Sequence, residues 1–245
     1  MLEAVPIAVM AGVIGAVAGS FCATAAVRFA ANESPWGGRS RCDGCARVLG
    51  WSETVPFIGF VRSGGACAAC HKRIDPLHMW GEALGALSTG TTLAIAPTPA
   101  GILMALTGLV LLAQALIDVR VLRLPNLGNG LVAGLCALLA WERHELVAGL
   151  VAAIASGLLL YGLKVWLERR RKQTMLGVGD IKLIAALALG LGLWTPYMLA
   201  GGAIAGMAAI LIRRMAHQDR LPFGPFIAMF GFIFLCVANF AGVLP

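Results

Sequence analysis

Charged residues punctuate this chain. Asp, Glu, Lys and Arg are absent from residues 4–27, 83–117, 124–141, 146–163, 183–212 and 221–245. A helix rises 1.5 Å per residue, and a membrane-spanning helix needs about 20 predominantly apolar residues. The uncharged runs of 35 and 30 residues would reach ~50 Å and ~45 Å, well beyond a hydrocarbon core of ~30 Å. Each is predicted to fold back as a helical hairpin. Each also has a break near its middle, at Pro97-Thr98-Pro99 and at Trp194-Thr195-Pro196, where proline interrupts helical hydrogen bonding. The four other runs predict single spans. The pattern predicts an all-α, polytopic membrane bundle of eight spans.

Composition agrees. Of 245 residues, 59% are hydrophobic and 13% charged, against roughly 25% charged in soluble domains. A water-soluble globular domain and a disordered chain are both excluded. The first run has Glu3 where a cleaved signal would have basic residues, and it is long for a signal's apolar core, so it reads as a retained helix. Three segments follow: a first transmembrane helix over 1–27, a cytoplasmic four-cysteine domain over 28–78, and seven transmembrane helices over 79–245.

The net charge of +7 is a topology signal and not a nucleic-acid footprint. With eight spans, eighteen Lys and Arg fall on one side, from Arg28 to Arg220, and Arg143 alone falls on the other. The positive-inside rule makes the basic side cytoplasmic and both termini external.

The loop over 28–78 carries Cys42-Asp-Gly-Cys45 and Cys67-Ala-Ala-Cys70. Paired Cys-x2-Cys units at this separation are a zinc pattern: each knuckle turns two thiolates toward one ion, and two knuckles complete a tetrahedral sulfur shell. Disulfides are the rival reading, disfavoured in a reducing cytoplasm. Four thiolates leave no open coordination position, so the metal is structural, replacing a core the loop is too short to build. His71, beside Cys70, is an alternative ligand or a solvated side chain. Cys22, Cys136 and Cys236 lie in spans and read as packing residues.

Carboxylates within spans point to function. Asp118 is drawn to the cytoplasmic end of span three. Asp180 is drawn to the cytoplasmic start of span six, because the 30-residue run is too short for two spans without the residues before Leu183. Two acids at one face and depth suit a dyad sharing a proton, in which an ionised carboxylate activates water and a protonated one polarises a carbonyl. Gly177 and Gly179 leave room beside Asp180 for a peptide backbone. The plainer roles are an N-cap for Asp180 and an ion pair with Arg120 or Arg123 for Asp118. Glu82 at the end of span two and Glu53 in the loop put two more carboxylates near the same rim.

Taken in order, these features resemble the bacterial type IV prepilin peptidase family, the prepilin leader peptidase/N-methyltransferases. The resemblance rests on Gly19-Ser20-Phe21, Arg28, the four cysteines, Glu82, Asp118 with Leu124-Pro125-Asn126, Gly177-x-Gly179-Asp180-x-Lys182-Leu183, and Pro222-Phe223-Gly224-Pro225-Phe226. It implies that Asp118 and Asp180 are an aspartic protease pair, supported by Gly177, Gly179, Lys182, Pro222, Gly224 and Pro225. It implies cleavage of prepilin or pseudopilin leaders after a glycine, and N-methylation of the new terminus from S-adenosylmethionine, with Glu53 and Glu82 as candidates for positioning the new amine or the methyl donor. A multi-pass protein of the bacterial inner membrane with its active site facing the cytoplasm is implied as well. The competing readings are a peptidase without methyl transfer, a transporter, and an assembly scaffold with a zinc foot.

Overall fold

The uncharged runs fold as helices. The computed structural model describes residues 4–171, 177–215 and 222–240. In chain order the helices are α1 (Ala4–Ala30), the short α2 (Trp51–Thr54) and α3 (Ile58–Arg62), α4 (Pro76–Ile95), α5 (Pro99–Val121), α6 (Asn126–Glu142), α7 (Leu146–Arg171), α8 (Val178–Leu191), α9 (Thr195–Met215) and α10 (Gly224–Phe240). Among the described residues there is no β-strand, only two isolated bridges. Four stretches are long and apolar enough to cross a membrane: Val5–Ala30, Pro99–Val121, Leu146–Arg170 and Val178–Ile212. The last of these contains α8, a 3-10 turn at Gly192–Trp194, and α9.

Local chemistry sets the helix ends. Asp75 caps α4 by accepting from the Leu77 amide at 2.9 Å, with Pro76 as the first helical residue. Thr98 caps α5 in the same way through the Gly101 amide, ahead of Pro99. The first predicted hairpin therefore breaks at Pro97–Pro99. The second breaks slightly earlier than predicted, at Gly192, whose φ of +50° suits glycine. Thr195 and Pro196 start α9 and so do not form the turn. The first helix also runs past residue 27 to Ala30, and α4 begins at Pro76, so the loop between them is shorter at both ends than the predicted 28–78 segment.

Packing gives the long helices alternating directions. Gly12, Gly15 and Gly19 of α1 meet Ala86, Gly85 and Gly81 of α4 in reverse order, so these two run antiparallel. A Cβ on Gly15 or Gly19 would overlap the α4 backbone. Such close approach is how helices associate where lipid is as apolar as leucine. Asn129 and Cys136 of α6 meet Gly179 and Gly190 of α8 in the same order, which makes that pair parallel. Gly149 and Gly157 of α7 meet Leu189 and Ala185 in reverse. Gly201 and Gly206 of α9 meet Phe230 of α10 and Phe223 just before it in reverse, while Leu187 and Gly190 of α8 meet Gly231 and Leu235 of α10 in the same order. Helix α10 thus lies beside both arms of the second hairpin.

The core is shared by α5, α6, α8 and α10, through Met104, Leu111, Val132, Leu139, Leu187 and Leu235 among others. A smaller cluster joins Cys22, Ala23 and Ala26 of α1 to Leu112, Leu116 and Ile117 of α5. The alternation gathers the C-terminal ends of α1 and α5 and the N-terminal ends of α4, α6, α8 and α10 at one end of the bundle, which also carries the cysteine loop. Of the predicted basic side, Lys172 and Arg220 lie outside the described residues, as do residues 1–3 and 241–245.

Candidate functional site

The cysteine loop is built from two near-identical turns. In the first, the Cys42 amide donates to the Arg47 carbonyl and the Ala46 amide to the Cys42 carbonyl, both at 2.9 Å. In the second, Cys67 donates to Lys72 and His71 to Cys67, again at 2.9 Å. Ala46 and His71 occupy the same positive-φ position, at 57° and 56°. His71 is therefore a turn residue, outside the cluster formed by the four cysteines. The turns face each other so that Cys42 and Cys70 sulfurs lie 3.6 Å apart and Cys45 and Cys67 sulfurs 4.0 Å apart, with all four within 4.8 Å of one another. Metal–sulfur bonds of about 2.3 Å in a tetrahedron place sulfurs about 3.8 Å apart, so the donor set fits one tetrahedral ion.

Electrostatics favour the same conclusion. The Cys70 and Ala69 amides, with Arg47 beyond them, hold the Cys67 thiol down at about 6. The Lys72 amide acts likewise on Cys70, but desolvation and the three neighbouring sulfurs outweigh it and push that thiol up to about 11. Four sulfurs this close ionise together only around a cation.

Glu53 and Glu82 both face the space beneath this unit, by different means. Glu53 takes a two-pronged hydrogen bond from Arg47, at 3.1 and 2.7 Å, and also accepts from the Gly50 amide at 2.8 Å. The guanidinium and that amide hold its carboxyl down at about 2. Arg47 also reaches the Cys67 sulfur at 3.8 Å, so one side chain ties the cysteine cluster to α2. Glu82 is buried in α4, and no arginine among the described residues pairs with it. Its two oxygens accept from the Ser20 hydroxyl of α1 at 2.9 Å and from the Phe57 amide at 2.8 Å. Phe57 has φ 59° and ψ −46°, and the Ile58 amide bonds back to the Pro56 carbonyl at 2.6 Å. That is a γ-turn of the rare positive-φ kind, a strained form that must be held from outside. The Glu82 carboxylate holds it. Between this turn, α1, α4 and the cysteine turns lies a cavity of about 770 Å³.

Asp118 and Asp180 meet at the same end of the bundle. Asp118 sits in the last turn of α5, buried, with Oδ2 accepting from the Gly224 amide at 2.8 Å. Arg120 pairs with Asp75 at the start of α4 instead of with Asp118. A Cβ on Gly224 would come within 2.7 Å of that Asp118 oxygen. Asp180 is the third residue of α8, where Gly177 and not Asp180 is the N-cap, and its carboxylate accepts from the Gly177 amide at the positive end of the helix. A Cβ on Gly177 would lie 2.7 Å from Asp180 Oδ2. The two carboxylates are close enough for their charges to interact. Gly179 is packed on Leu124, and a Cβ there would be 3.2 Å from the Leu124 side chain. Pro222 is buried and Pro225 half-buried beside Gly224. Lys182 is exposed and donates to Asn126 of α6 at 2.8 Å.

A polar bridge between the aspartate-bearing helices went unread in the sequence. Gln114, one turn before Asp118, donates to Asn129 at 2.7 Å, and Asn129 donates to the Gly179 carbonyl at 3.3 Å. Both side chains are buried. The available signal was two amides within uncharged runs. A search confined to carboxylates passes over them, although any polar side chain at that depth needs a partner.

A bundle of long apolar helices with two neighbouring carboxylates at one end and a four-thiol loop defines a class of membrane-type helical protein. Comparison with known proteins narrows it. Residues 13–95 match the Bacterial Peptidase A24 N-terminal domain. The chain is 31% identical over 231 residues to a Prepilin leader peptidase/N-methyltransferase of Bacillus subtilis, covering 88% of each chain. It is 35% identical over 204 residues to the protein of that name from Burkholderia pseudomallei, covering 79% of this chain, and it spans 65% of that relative's length. A relative of the same name from Aeromonas hydrophila is 30% identical over 210 residues, covering 80% of this chain and 71% of its own. The chain belongs to the prepilin leader peptidase/N-methyltransferase family. No solved structure matches it.

Proposed function

We propose that this chain is a membrane aspartic endopeptidase that removes the leader from prepilins or pseudopilins after a glycine, and that it N-methylates the new terminus using S-adenosylmethionine. The observation that carries the reading is the meeting of Asp118 and Asp180 at one end of the bundle in a chain of this family. In this reading the eight long helices all cross the bacterial inner membrane, over segments 1–27 and 79–245. The loop over 28–78 holds one structural zinc through Cys42, Cys45, Cys67 and Cys70. The end bearing both aspartates faces the cytoplasm, in keeping with the basic residues there.

Of the two carboxylates, the ionised one removes a proton from water and the protonated one donates to the scissile carbonyl oxygen. The water oxygen attacks the carbonyl carbon, and the leaving amine takes up a proton as the C–N bond breaks. Repulsion between the charges keeps one proton shared across the pair. The Gly224 amide fixes Asp118 by one oxygen and leaves the other for the reaction. Gly177 keeps the approach to Asp180 open to backbone, and Gly179 lets α8 pack closely on Leu124. The substrate's apolar helix lies in the bilayer, which makes attack effectively unimolecular. A glycine before the bond eases its unwinding.

Incubating the purified protein with a synthetic prepilin and S-adenosylmethionine, then weighing the product, tests both halves. The expected product lacks the leader and gains one methyl group. Intact prepilin in the presence of well-folded protein contradicts the protease half. Cleaved product without the methyl gain contradicts the other.

A further inference from the structure

The polar cavity beside Glu82 is separate from the aspartates. It lies on the far side of α1 from Asp118, because α1 turns Cys22, Ala23 and Ala26 toward α5 and Ser20 and Thr24 toward the cavity. At about 770 Å³ it falls within the range of small-molecule sites, roughly 300–1,000 Å³. Its lining mixes acids, Glu82 and Asp43 among them, with the bases Arg41 and Lys72 and the aromatic rings of Phe21 and Phe60. Glu82 is the buried member. A carboxylate has about four acceptor positions, and Ser20 and the Phe57 amide occupy one on each oxygen. The remaining capacity faces the cavity, and a buried carboxylate is costly unless a positive group offsets its charge. Its hydrogen bonds to Ser20 of α1 and to the Phe57 turn position this carboxylate from two sides.

We infer that this cavity is the methyl-donor site, with Glu82 facing the positive sulfonium of S-adenosylmethionine. The inference rests on the methyltransferase half of the proposed function. The donor's chemistry matches the lining group by group. The sulfonium takes Glu82, the adenine takes an aromatic face, and the amino-acid end takes one acid and one base. The transfer itself is a displacement. The lone pair of the neutral terminal amine attacks the donor methyl carbon, and the C–S bond breaks with its electron pair going to sulfur. A neutral thioether leaves, and the alkylated ammonium gives its extra proton to solvent. Glu82 orients the donor and takes no part in bond making.

Photolabelling of the full-length protein with 8-azido-S-adenosylmethionine, followed by peptide mapping, locates the donor independently of turnover. Labelled peptides should cover residues 17–28, 53–63 or 78–82, and S-adenosylhomocysteine should abolish the label. Label elsewhere would overturn the placement, for instance in the apolar groove of about 470 Å³ beside Gly130, Ala133 and Ala185. So would the absence of competed label in a preparation that methylates. Methyl gain by the same preparation reports on the underlying reading separately, and a wild-type protein that cleaves without methylating removes that reading. As a second arm, Glu82→Gln should raise the donor KM at least tenfold with little change in kcat, and Glu82→Asp should restore part of it. An unchanged KM in Glu82→Gln contradicts the assignment.

Discussion

Asp118 is held by a single backbone amide, and the residue supplying it cannot be enlarged without displacing the carboxylate. Gly224→Ala places a methyl within 2.7 Å of Asp118 Oδ2, so leader cleavage should fall at least tenfold, equivalent to about 1.4 kcal/mol of transition-state stabilisation. Steady-state rates on a synthetic prepilin measure this, and a rate within twofold of wild type would show that the Gly224–Asp118 contact is dispensable. Gln114 separates stability from alignment. Hydrogen bonds between membrane helices contribute about 0.6 kcal/mol on average, so Gln114→Leu should barely move the melting temperature. The same change releases Asn129 from its place under Gly179, and an error of about 1 Å in a reacting group costs on the order of a hundredfold. Cleavage should therefore drop tenfold or more while stability holds. Equal losses of both would make Gln114 a packing residue only. Glu53 shows what residue-scale reading could not supply. Its place in the loop made it a candidate for methyl transfer, yet its carboxylate is taken by Arg47 and the Gly50 amide, partners that no local pattern announces.

At the scale of elements, hairpins and knuckles were legible because their signals are local. A run too long for one span must turn, and Pro97–Pro99 says where. Two Cys-x2-Cys units announce one cluster of four sulfurs whatever the rest of the loop does. The pairing of α1 with α4 was not legible, since Gly15 and Gly85 matter only to each other. Nor was the turn at Phe57, which exists because Glu82, far away in sequence, holds it. The cysteine turns yield a prediction of their own. One equivalent of zinc should copurify with the chain, and Cys45→Ser should lose it. Structural zinc contributes about 10–16 kcal/mol of binding free energy that doubles as folding energy, so the loop should become protease-sensitive and methylation should fail before cleavage does. A zinc-free wild-type protein with an intact loop would remove the metal from the account. Arg47 joins this unit to α2, so Arg47→Ala should depress methylation while zinc content stays at one. Zinc lost along with methylation would mean that Arg47 serves the metal site itself.

The whole molecule places the aspartate pair and the cysteine-loop cavity at one end of a bundle and separates them by a helix. Alternating directions bring Asp118 and Asp180 together although they are 62 positions apart in the chain. Helix α1 stands between that pair and the cavity beside Glu82. Arg120, just past Asp118, reaches back to Asp75 at the root of the cysteine loop, so the two halves are braced against each other. This arrangement predicts separable activities, with losses at the cavity sparing the aspartate pair and losses at the aspartates abolishing both, because no new terminus is made. The most direct measurement is leader release by purified Asp118→Asn and Asp180→Asn proteins, each compared with wild type after reconstitution into lipid vesicles. The account predicts that either substitution alone abolishes cleavage while the protein still inserts and melts as wild type does. Cleavage by either variant at more than a few per cent of the wild-type rate would contradict the pairing of these two aspartates.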